Sequence, residues 1–144
     1  MERKEFLKAC GFACLGGTVL ATMLESCSGG NKIVGGTIDH SDLVVPVTAF
    51  LTHKDAYRKY VVVQHEELKF PICVYRFSEK EYTALLMRCT HQGAELQVFG
   101  ARLQCPAHGS EFNNKGVVQN GPADTNLRTF PVTLRNNQLY ISLK

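Results

Sequence analysis

Two short segments of the chain each place one cysteine close to one histidine. The first is Cys89–Gly93, with the sequence CTHQG, and the second is Cys105–Ser110, with the sequence CPAHGS. Thiolate sulfur and imidazole nitrogen are common ligands of iron, zinc and copper in proteins. A hairpin predicted over 96–104 lies between the two segments, so we expect them to face each other. Two sulfur and two nitrogen ligands would then border one small volume.

This ligand set suits either one zinc ion or a binuclear iron–sulfur cluster. Structural zinc sites usually take paired ligands of one type from a C-x-x-C turn or from one helix. Here each segment contributes one cysteine and one histidine from a strand hairpin. In a binuclear cluster, two cysteines can bind one iron and two histidines the other, with each loop supplying one ligand of each type. The mixed pairs favour the cluster, and zinc is the alternative.

The two segments resemble the cluster-binding loops of the Rieske iron–sulfur family. The motifs are C-x-H-x-G over 89–93 and C-P-x-H-G-S over 105–110, and the similarity continues through Gly116 and the Gly-Pro-Ala run at 121–123. The resemblance implies an all-β fold, a small antiparallel sandwich or barrel, with an inserted cluster-binding subdomain over about 86–124. It also implies a [2Fe–2S] cluster as the cofactor.

The resemblance assigns roles to eight residues. The implied metal ligands are Cys89 and Cys105 on the inner iron and His91 and His108 on the outer, more exposed iron. Four further residues are expected around the cluster: Gly93, Ser110, Phe112 and Pro122. Ser110 matches a serine that donates a hydrogen bond to a bridging sulfide, and Pro122 belongs to a proline loop that covers one side of the cluster. Phe112 occupies the position of a tyrosine that bonds a cysteine sulfur in high-potential members.

Two alanines depart from the high-potential pattern. Ala94 and Ala107 stand where those members carry two cysteines joined by a disulfide between the loops. We therefore expect the loops to depend on the cluster and on packing. Cys73 lies in an apolar run and is expected to be a small buried hydrophobic residue. Because one sulfur donor is kept at Ser110 and one is lost at Phe112, an intermediate reduction potential is predicted.

The N-terminal region has the features of an export signal. Arg3 and Lys4 precede the uncharged segment Ala9–Leu24, which is short for a membrane span. The run Leu24–Cys27 resembles a bacterial lipobox, which predicts lipidation of Cys27 and a membrane anchor. Residues 3–8 also resemble a twin-arginine motif whose second arginine is replaced by lysine. The predicted organisation is an export signal over 1–26, a glycine-rich flexible tether over 27–36 and a Rieske domain over 37–144.

The remainder of the chain is predicted to form short strands. Runs of β-branched and aromatic residues alternate with turns, and no convincing long amphipathic helix follows residue 37. Asn136-Asn137 and Gly100-Ala101 are predicted hairpin turns, and residues 78–81 are a predicted polar turn. The predicted strands are Val44–Thr52, Tyr60–His65, Ile72–Phe77, Thr83–Arg88, Leu96–Phe99, Arg102–Gln104, Thr129–Arg135 and Gln138–Leu143.

Charge and residue types narrow the predicted function. The formal net charge is +3 without a concentrated basic stripe, so a nucleic-acid partner is not predicted. No set of side chains suggests a nucleophile or general base, and His40, His53 and His65 are expected on the surface. We predict a membrane-tethered extracytoplasmic one-electron carrier whose partners are redox proteins or quinol. The alternatives are a Rieske subunit of a quinol-oxidising cytochrome bc-type complex, a small subunit of an exported oxidase and, in another class, a zinc-stabilised binding module.

Overall fold

The secondary structure is almost entirely β over residues 30–144, the part of the chain that the computed structural model describes. The predicted export signal and the predicted lipidation site Cys27 lie outside this range. One short 3-10 helix, η1, covers Val47–Phe50. The strands are β1 Ile33–Gly35, β2 Thr37–Asp39, β3 Asp42–Pro46, β4 Tyr60–Gln64, β5 Ile72–Arg76, β6 Tyr82–Leu86, β7 Gln97–Phe99, β8 Arg102–Gln104, β9 Glu111–Asn113, β10 Val118–Asn120, β11 Thr129–Phe130, β12 Val132–Arg135 and β13 Gln138–Ser142.

The strands form three sheets. A five-stranded sheet has the order β1-β4-β5-β6-β11, and a four-stranded sheet has the order β12-β13-β3-β2. These two sheets share a core of aliphatic side chains and form the base sandwich. The third sheet, with the order β10-β9-β8-β7, carries the cluster-binding subdomain. Except for the parallel pair β1–β4, all the strand pairs are antiparallel, so the predicted fold class is confirmed.

The central strands of the five-stranded sheet are buried on both faces. In β4, Val61 and Val63 contribute to the core shared with the second sheet, whereas Val62 contributes to the core beneath the cluster subdomain. Cys73 and Tyr75 of β5 also face the cluster subdomain. Successive side chains of a strand point to opposite faces, so a strand covered on both sides needs a continuous apolar run. The apolar runs in β4 and β5 meet that requirement.

The predicted turns are confirmed. Asn136 and Asn137 have φ values of 49° and 61°, which suits the two-residue hairpin between β12 and β13. Gly100 has a φ of 59° between β7 and β8. In the polar turn at 78–81, the Glu81 N–H donates to Ser78 Oγ at 3.1 Å.

Two predicted strands differ from the observed elements because of prolines. The predicted strand Val44–Thr52 ends at Pro46, and η1 follows it. The predicted strand Thr129–Arg135 divides at Pro131 into β11, which pairs with β6, and β12, which pairs with β13. Proline has no N–H to donate to a ladder, so a strand is easily interrupted there.

Four strands were not predicted, and one of them shortens the predicted tether. Ile33–Gly35 pairs in parallel with β4, so residues 33–35 belong to the folded domain and not to a flexible tether over 27–36. The edge of β4 offers backbone groups that bind this glycine-flanked segment. The other three are β2, β9 and β10, each of three residues, which is too short to give a clear periodic pattern. Among the described residues, no helix is long and apolar enough to cross a membrane.

Candidate metal centre

The hairpin β7–β8 brings the two predicted ligand loops to one end of the domain. Gln97 at the start of β7 pairs with Gln104 at the end of β8, so the preceding and following loops are neighbours. The rings of His91 and His108 lie 5.1 Å apart between centroids, with an interplanar angle of 88°. The prediction that the hairpin places the two loops face to face is therefore confirmed.

The two loops have the same backbone hydrogen bonds. The Cys89 N–H donates to the Ala94 carbonyl at 2.8 Å, and the Gly93 N–H donates to the Cys89 carbonyl at 2.9 Å. In the second loop, the Cys105 N–H donates to the Ser110 carbonyl at 2.8 Å, and the Gly109 N–H donates to the Cys105 carbonyl at 3.0 Å. The two loops are thus matching turns that start from a cysteine.

Glycine is required at the fifth position of each turn. Gly93 and Gly109 both have a φ of 79°, a left-handed conformation that side chains with a Cβ rarely adopt. A Cβ on Gly93 would also lie 3.0 Å from Nε of Arg88. Gly93, predicted to lie around the cluster, thus has a conformational role in the first ligand loop.

The cysteines and the histidines differ in exposure. Cys89 and Cys105 are each 2 % exposed and belong to the apolar core beneath the loops. His91 and His108 are exposed to solvent. The thiols therefore form the floor of the centre, and the two imidazoles lie at its surface.

The proline loop is hydrogen-bonded to both ligand loops. The Ala123 N–H donates to Oγ of the fully buried Ser110 at 3.0 Å. On the other side, Oγ1 of Thr90 donates to the Thr125 carbonyl at 2.6 Å. Pro122, preceded by a cis peptide bond, is the exposed residue next to Ala123. Sequence reasoning missed Thr90, because a threonine between two ligands has no signature of its own.

Ser110 has a hydroxyl proton available for a further bond. Its oxygen accepts the Ala123 N–H, and a serine hydroxyl can donate one hydrogen bond in addition to accepting. This arrangement fits the predicted donor to a bridging sulfide. Phe112 is fully buried in the same core as the two cysteines and offers no such donor.

The three cysteines in the described part of the chain are free. They are Cys73, Cys89 and Cys105. Cys73 is fully buried, which confirms the prediction of a small core residue, and burial raises the pKa of its thiol to about 12. Burial also raises the pKa of Tyr75, whose hydroxyl donates to the Gly100 carbonyl at 2.9 Å. These two groups therefore remain neutral in the folded protein near neutral pH.

The remaining histidines are away from the ligand loops. His40 and His53 are exposed as predicted. His65 is half-buried, and its Nδ1 accepts the Glu67 N–H at 3.2 Å in the turn after β4. Within residues 30–144, no group of three or more His, Cys, Asp or Glu side chains converges around a position for a single metal ion.

Comparison with known proteins decides the family. The family model of the Rieske [2Fe-2S] domain matches residues 44–131, more than half of the chain. The chain belongs to the Rieske family. Its cofactor is therefore a [2Fe–2S] cluster.

Relatives of this Rieske protein include both oxygenase components and cytochrome-complex subunits. It is 34 % identical over 84 residues to the oxygenase component of dicamba O-demethylase from Stenotrophomonas maltophilia, covering 51 % of this chain and 25 % of the relative. It is 32 % identical over 60 residues to the cytochrome b6-f complex iron-sulfur subunit 2 of Nostoc sp., covering 40 % of this chain and 34 % of the relative. The chain thus spans about a quarter to a third of the length of these curated relatives.

A solved structure matches over a larger share of its length. The plasma membrane Rieske protein PetC3 from Synechocystis PCC 6803 superimposes with a TM-score of 0.55 at 25 % identity. The match covers 69 % of this chain and 97 % of that protein. This chain is therefore similar to a Rieske protein whose resolved part consists almost wholly of the shared domain.

Proposed function

We propose that this protein transfers single electrons through a [2Fe–2S] cluster bound by Cys89, Cys105, His91 and His108. The observation that carries the proposal is the difference in exposure within this donor set: two buried thiols lie beneath two exposed imidazoles. Electron exchange with a partner needs a short path to the protein surface, and the imidazole edge supplies it. The buried thiols are shielded from solvent by the core around them.

The residues at the centre fit the family's cofactor. Two matching turns each present one sulfur and one nitrogen donor, which is the ligand set of a Rieske centre. A structural zinc site usually takes paired ligands of one type from one turn or helix, unlike the mixed pair that each turn presents here. When bound, the cluster supplies a one-electron couple. Ser110 would donate its free hydroxyl proton to a sulfur of that cluster, while its oxygen accepts the Ala123 N–H of the proline loop.

The site of action that we propose is extracytoplasmic and membrane-tethered. The support is the sequence of residues 1–27: a basic flank, an uncharged segment and a lipobox-like run ending at Cys27. The similar Synechocystis protein is described as a plasma membrane Rieske protein. In this proposal the acyl chains on Cys27 anchor the domain, and its redox partners are proteins of the same compartment.

A role in a quinol-oxidising complex is the second candidate. Similarity to a cytochrome b6-f iron-sulfur subunit favours it. The small subunit of an exported oxidase is a third candidate within the redox class. Three residues weigh against the quinol-oxidising complex: Ala94 and Ala107 preclude a disulfide between the loops, and Phe112 offers no hydrogen bond to sulfur. Hydrogen bonds to cluster sulfur raise the reduction potential, so their loss makes quinol oxidation less favourable.

Purification and spectroscopy test the proposal. The protein as isolated should be coloured, contain two iron atoms and two sulfides per chain, and give the visible and electron paramagnetic resonance spectra of histidine-ligated clusters. Its midpoint potential should lie inside the span of roughly −150 to +300 mV found for Rieske centres. A colourless protein with one zinc per chain would instead identify a zinc-stabilised module.

Stopped-flow reduction distinguishes the two redox candidates. The reduced protein should be oxidised rapidly by a small soluble redox protein, and the oxidised protein should be reduced only slowly by a soluble quinol. Fast reduction by the quinol, with a high midpoint potential, would support the quinol-oxidising complex and contradict the carrier.

A further inference from the structure

A basic cavity lies at the end of the domain opposite to the ligand loops. Its volume is about 350 Å³, and the start of β4, the end of β5 and the Gly100-Ala101 turn surround it. The residues that matter form what we call the basic–aromatic face: Tyr57, Arg58, Lys59, Arg76, Phe77 and the adjacent Lys115.

Within residues 30–144, the cations of this face have no carboxylate partners. None of the residues that line the cavity is acidic. The ion pairs in residues 30–144 are His40–Asp39 and Arg102–Glu111, and neither involves the face. The Nε atoms of Arg58 and Arg76 are buried and have no hydrogen-bond partner in the described part of the chain. Because these Nε atoms are shielded from solvent, an anionic ligand would meet the terminal guanidinium nitrogens, whose N–H groups suit phosphate oxygen atoms.

Exposed aromatic rings adjoin these cations. Tyr57 is 46 % exposed and Phe77 is 37 % exposed. The Arg76 guanidinium lies 4.1 Å from the centroid of the Tyr57 ring, and Lys115 Nζ lies 5.5 Å from the centroid of the Phe77 ring. Aromatic rings beside basic side chains are typical of protein surfaces at the headgroup level of a membrane.

The direction of β6 places the basic–aromatic face and the ligand loops at opposite ends. β6 begins at Tyr82, opposite Arg76, and ends at Leu86, opposite Ile72. The chain then continues through Met87, whose N–H donates to the Pro71 carbonyl, into the first ligand loop. The length of β6 therefore separates the cavity from the cluster end.

The chain enters the folded domain at the same end as the face. The Tyr60 hydroxyl donates to Oδ1 of Asn31 at 2.7 Å, and Tyr60 directly follows Lys59. From Asn31 the chain runs parallel to β4, away from the face. Cys27 precedes Asn31 by four positions in the sequence, a stretch that reaches at most about 14 Å. An acyl anchor on Cys27 would hold this end of the domain near the membrane.

We propose that the basic–aromatic face binds the headgroups of anionic phospholipids and thereby points the ligand loops away from the membrane. The proposal rests on the membrane tether proposed above. Arg58 and Arg76 bind phosphate oxygens, Lys59 and Lys115 add attraction to the negative surface, and Tyr57 and Phe77 lie among the headgroups. The exposed imidazoles then face the aqueous compartment, where soluble redox proteins reach them.

A single tryptophan reports on this orientation, because the chain contains none. The full-length cluster-loaded protein with Tyr57→Trp is bound to vesicles of phosphatidylcholine, or of phosphatidylcholine with phosphatidylglycerol, whose acyl chains carry bromine. We expect quenching of the reporter to be at least threefold stronger with phosphatidylglycerol and to be abolished by Arg58→Gln combined with Arg76→Gln. The visible spectrum of the cluster verifies that each variant is folded.

Two control variants come from the cluster end. Gln64→Trp places the reporter at the other end of β4, where quenching should stay low in both vesicles. Lys69→Gln removes an exposed cation from the loop after β4 and should leave the Tyr57→Trp signal unchanged. If Arg58 or Arg76 proves essential for folding, Lys59→Gln with Lys115→Gln should still reduce the quenching by half or more.

Three results would overturn the proposal: equal quenching in the two kinds of vesicle, equal quenching at positions 57 and 64, or no effect of the arginine substitutions. Inorganic phosphate tests whether the cavity holds a small free anion instead. If phosphate shifts the side-chain Nε–H resonances of Arg58 and Arg76 while vesicles cause no quenching, a soluble anion is the ligand and the membrane role is wrong.

A separate experiment shows whether the proposed lipid anchor on Cys27 is wrong, independently of headgroup binding by the basic–aromatic face. Flotation with vesicles in high salt, compared between the natural chain and Cys27→Ala, measures the anchor and not the electrostatic face. If flotation is the same in the two chains, lipidation at Cys27 is wrong, while salt-sensitive quenching in phosphatidylglycerol vesicles still measures the face.

Discussion

The base sandwich and the ligand loops are stabilised in different ways. The base is held by a continuous aliphatic core between two sheets, to which β3, β4, β5 and β13 all contribute. The ligand loops bury their two cysteines but leave both histidines exposed, and matched backbone hydrogen bonds at Cys89 and Cys105 define their shape. The comparison indicates that the base can fold without the cofactor, whereas the loops require additional support.

The side-chain support for the loops comes from the proline loop. Thr90 of the first ligand loop donates a hydrogen bond to the proline loop, and Ser110 of the second ligand loop accepts one from it. Ala94 and Ala107 cannot form a disulfide, so these two hydrogen bonds connect the ligand loops to a shared neighbour in its place. A hydrogen bond contributes about 1 kcal/mol, whereas a disulfide typically contributes about 2–4 kcal/mol. The cofactor is thus expected to supply the remaining order.

Removal of the cluster should have the largest effect on the difference in stability between the base sandwich and the ligand loops. We expect amide exchange over residues 89–110 to accelerate by about a thousandfold, which corresponds to a loss of about 4 kcal/mol of local stability. Amides of β3, β4 and β13 should keep their protection. Hydrogen exchange with mass spectrometry on chelated and native protein measures both, and equal losses in base and loops would contradict the distinction.

Alkaline pH should weaken the core of the base next to the cluster subdomain. The pKa of Cys73 is raised from 9.0 to about 12 by burial, so the unfolded chain loses this proton at lower pH than the folded chain. Stability from this group is complete below about pH 9 and is lost as the pH rises toward 12. Between these two pH values, the free energy of unfolding falls with a slope that approaches about 1.4 kcal/mol per pH unit. Denaturant titrations between pH 8 and 10 should show a flatter profile for Cys73→Ala, and an unchanged slope would contradict this cause.

Replacement of Thr90 by valine removes one connection between the ligand loops and the proline loop. The expected loss is about 1 kcal/mol of unfolding free energy, together with faster release of the cluster to a chelator. Thr90→Ser retains the hydroxyl and should restore both values. Thr129→Val, an exposed change on β11, serves as the matched control. If Thr90→Val and Thr129→Val release the cluster at the same rate, the bond to Thr125 does not stabilise the centre.

Phe112→Tyr should change the midpoint potential of the cluster and should disturb the fold less than the other changes proposed here. A phenol at this position can donate a hydrogen bond to cluster sulfur, and one bond of about 1 kcal/mol corresponds to roughly 40 mV for one electron. We expect a midpoint potential higher by that amount in a redox titration. Phe112 is fully buried, so Leu103→Met in the adjacent strand controls for repacking alone. An unchanged or lower potential in Phe112→Tyr would contradict the donor role.

The local sequence was sufficient to predict turns and strands whose backbone conformation or burial depends on the residue type at that position. The asparagine pair at 136–137, the turn at Gly100 and the apolar runs of β4 and β5 were all predicted, because φ preferences and side-chain alternation act over a few residues. The two cysteine–histidine motifs likewise predicted the location of the centre, and Gly93 and Gly109 have the conformation that only glycine adopts readily.

The features that the sequence did not predict depend on contacts between residues far apart in the chain. Ile33 and Val34 are β-branched, but a three-residue segment beside glycines gives no periodic pattern, and pairing with the edge of β4 makes it a strand. Thr90 gained a role because the proline loop, thirty-five positions later, places the Thr125 carbonyl beside it. The basic–aromatic face combines residues from three separate segments around 58, 76 and 115, which no local pattern connects. The sequence by itself determined the ligand types and the turns that carry them. The tertiary structure decided which residues support the ligand loops and which charges lie at the opposite end of the domain. Hydrogen bonding and charge at these places depend on neighbours that are distant along the chain.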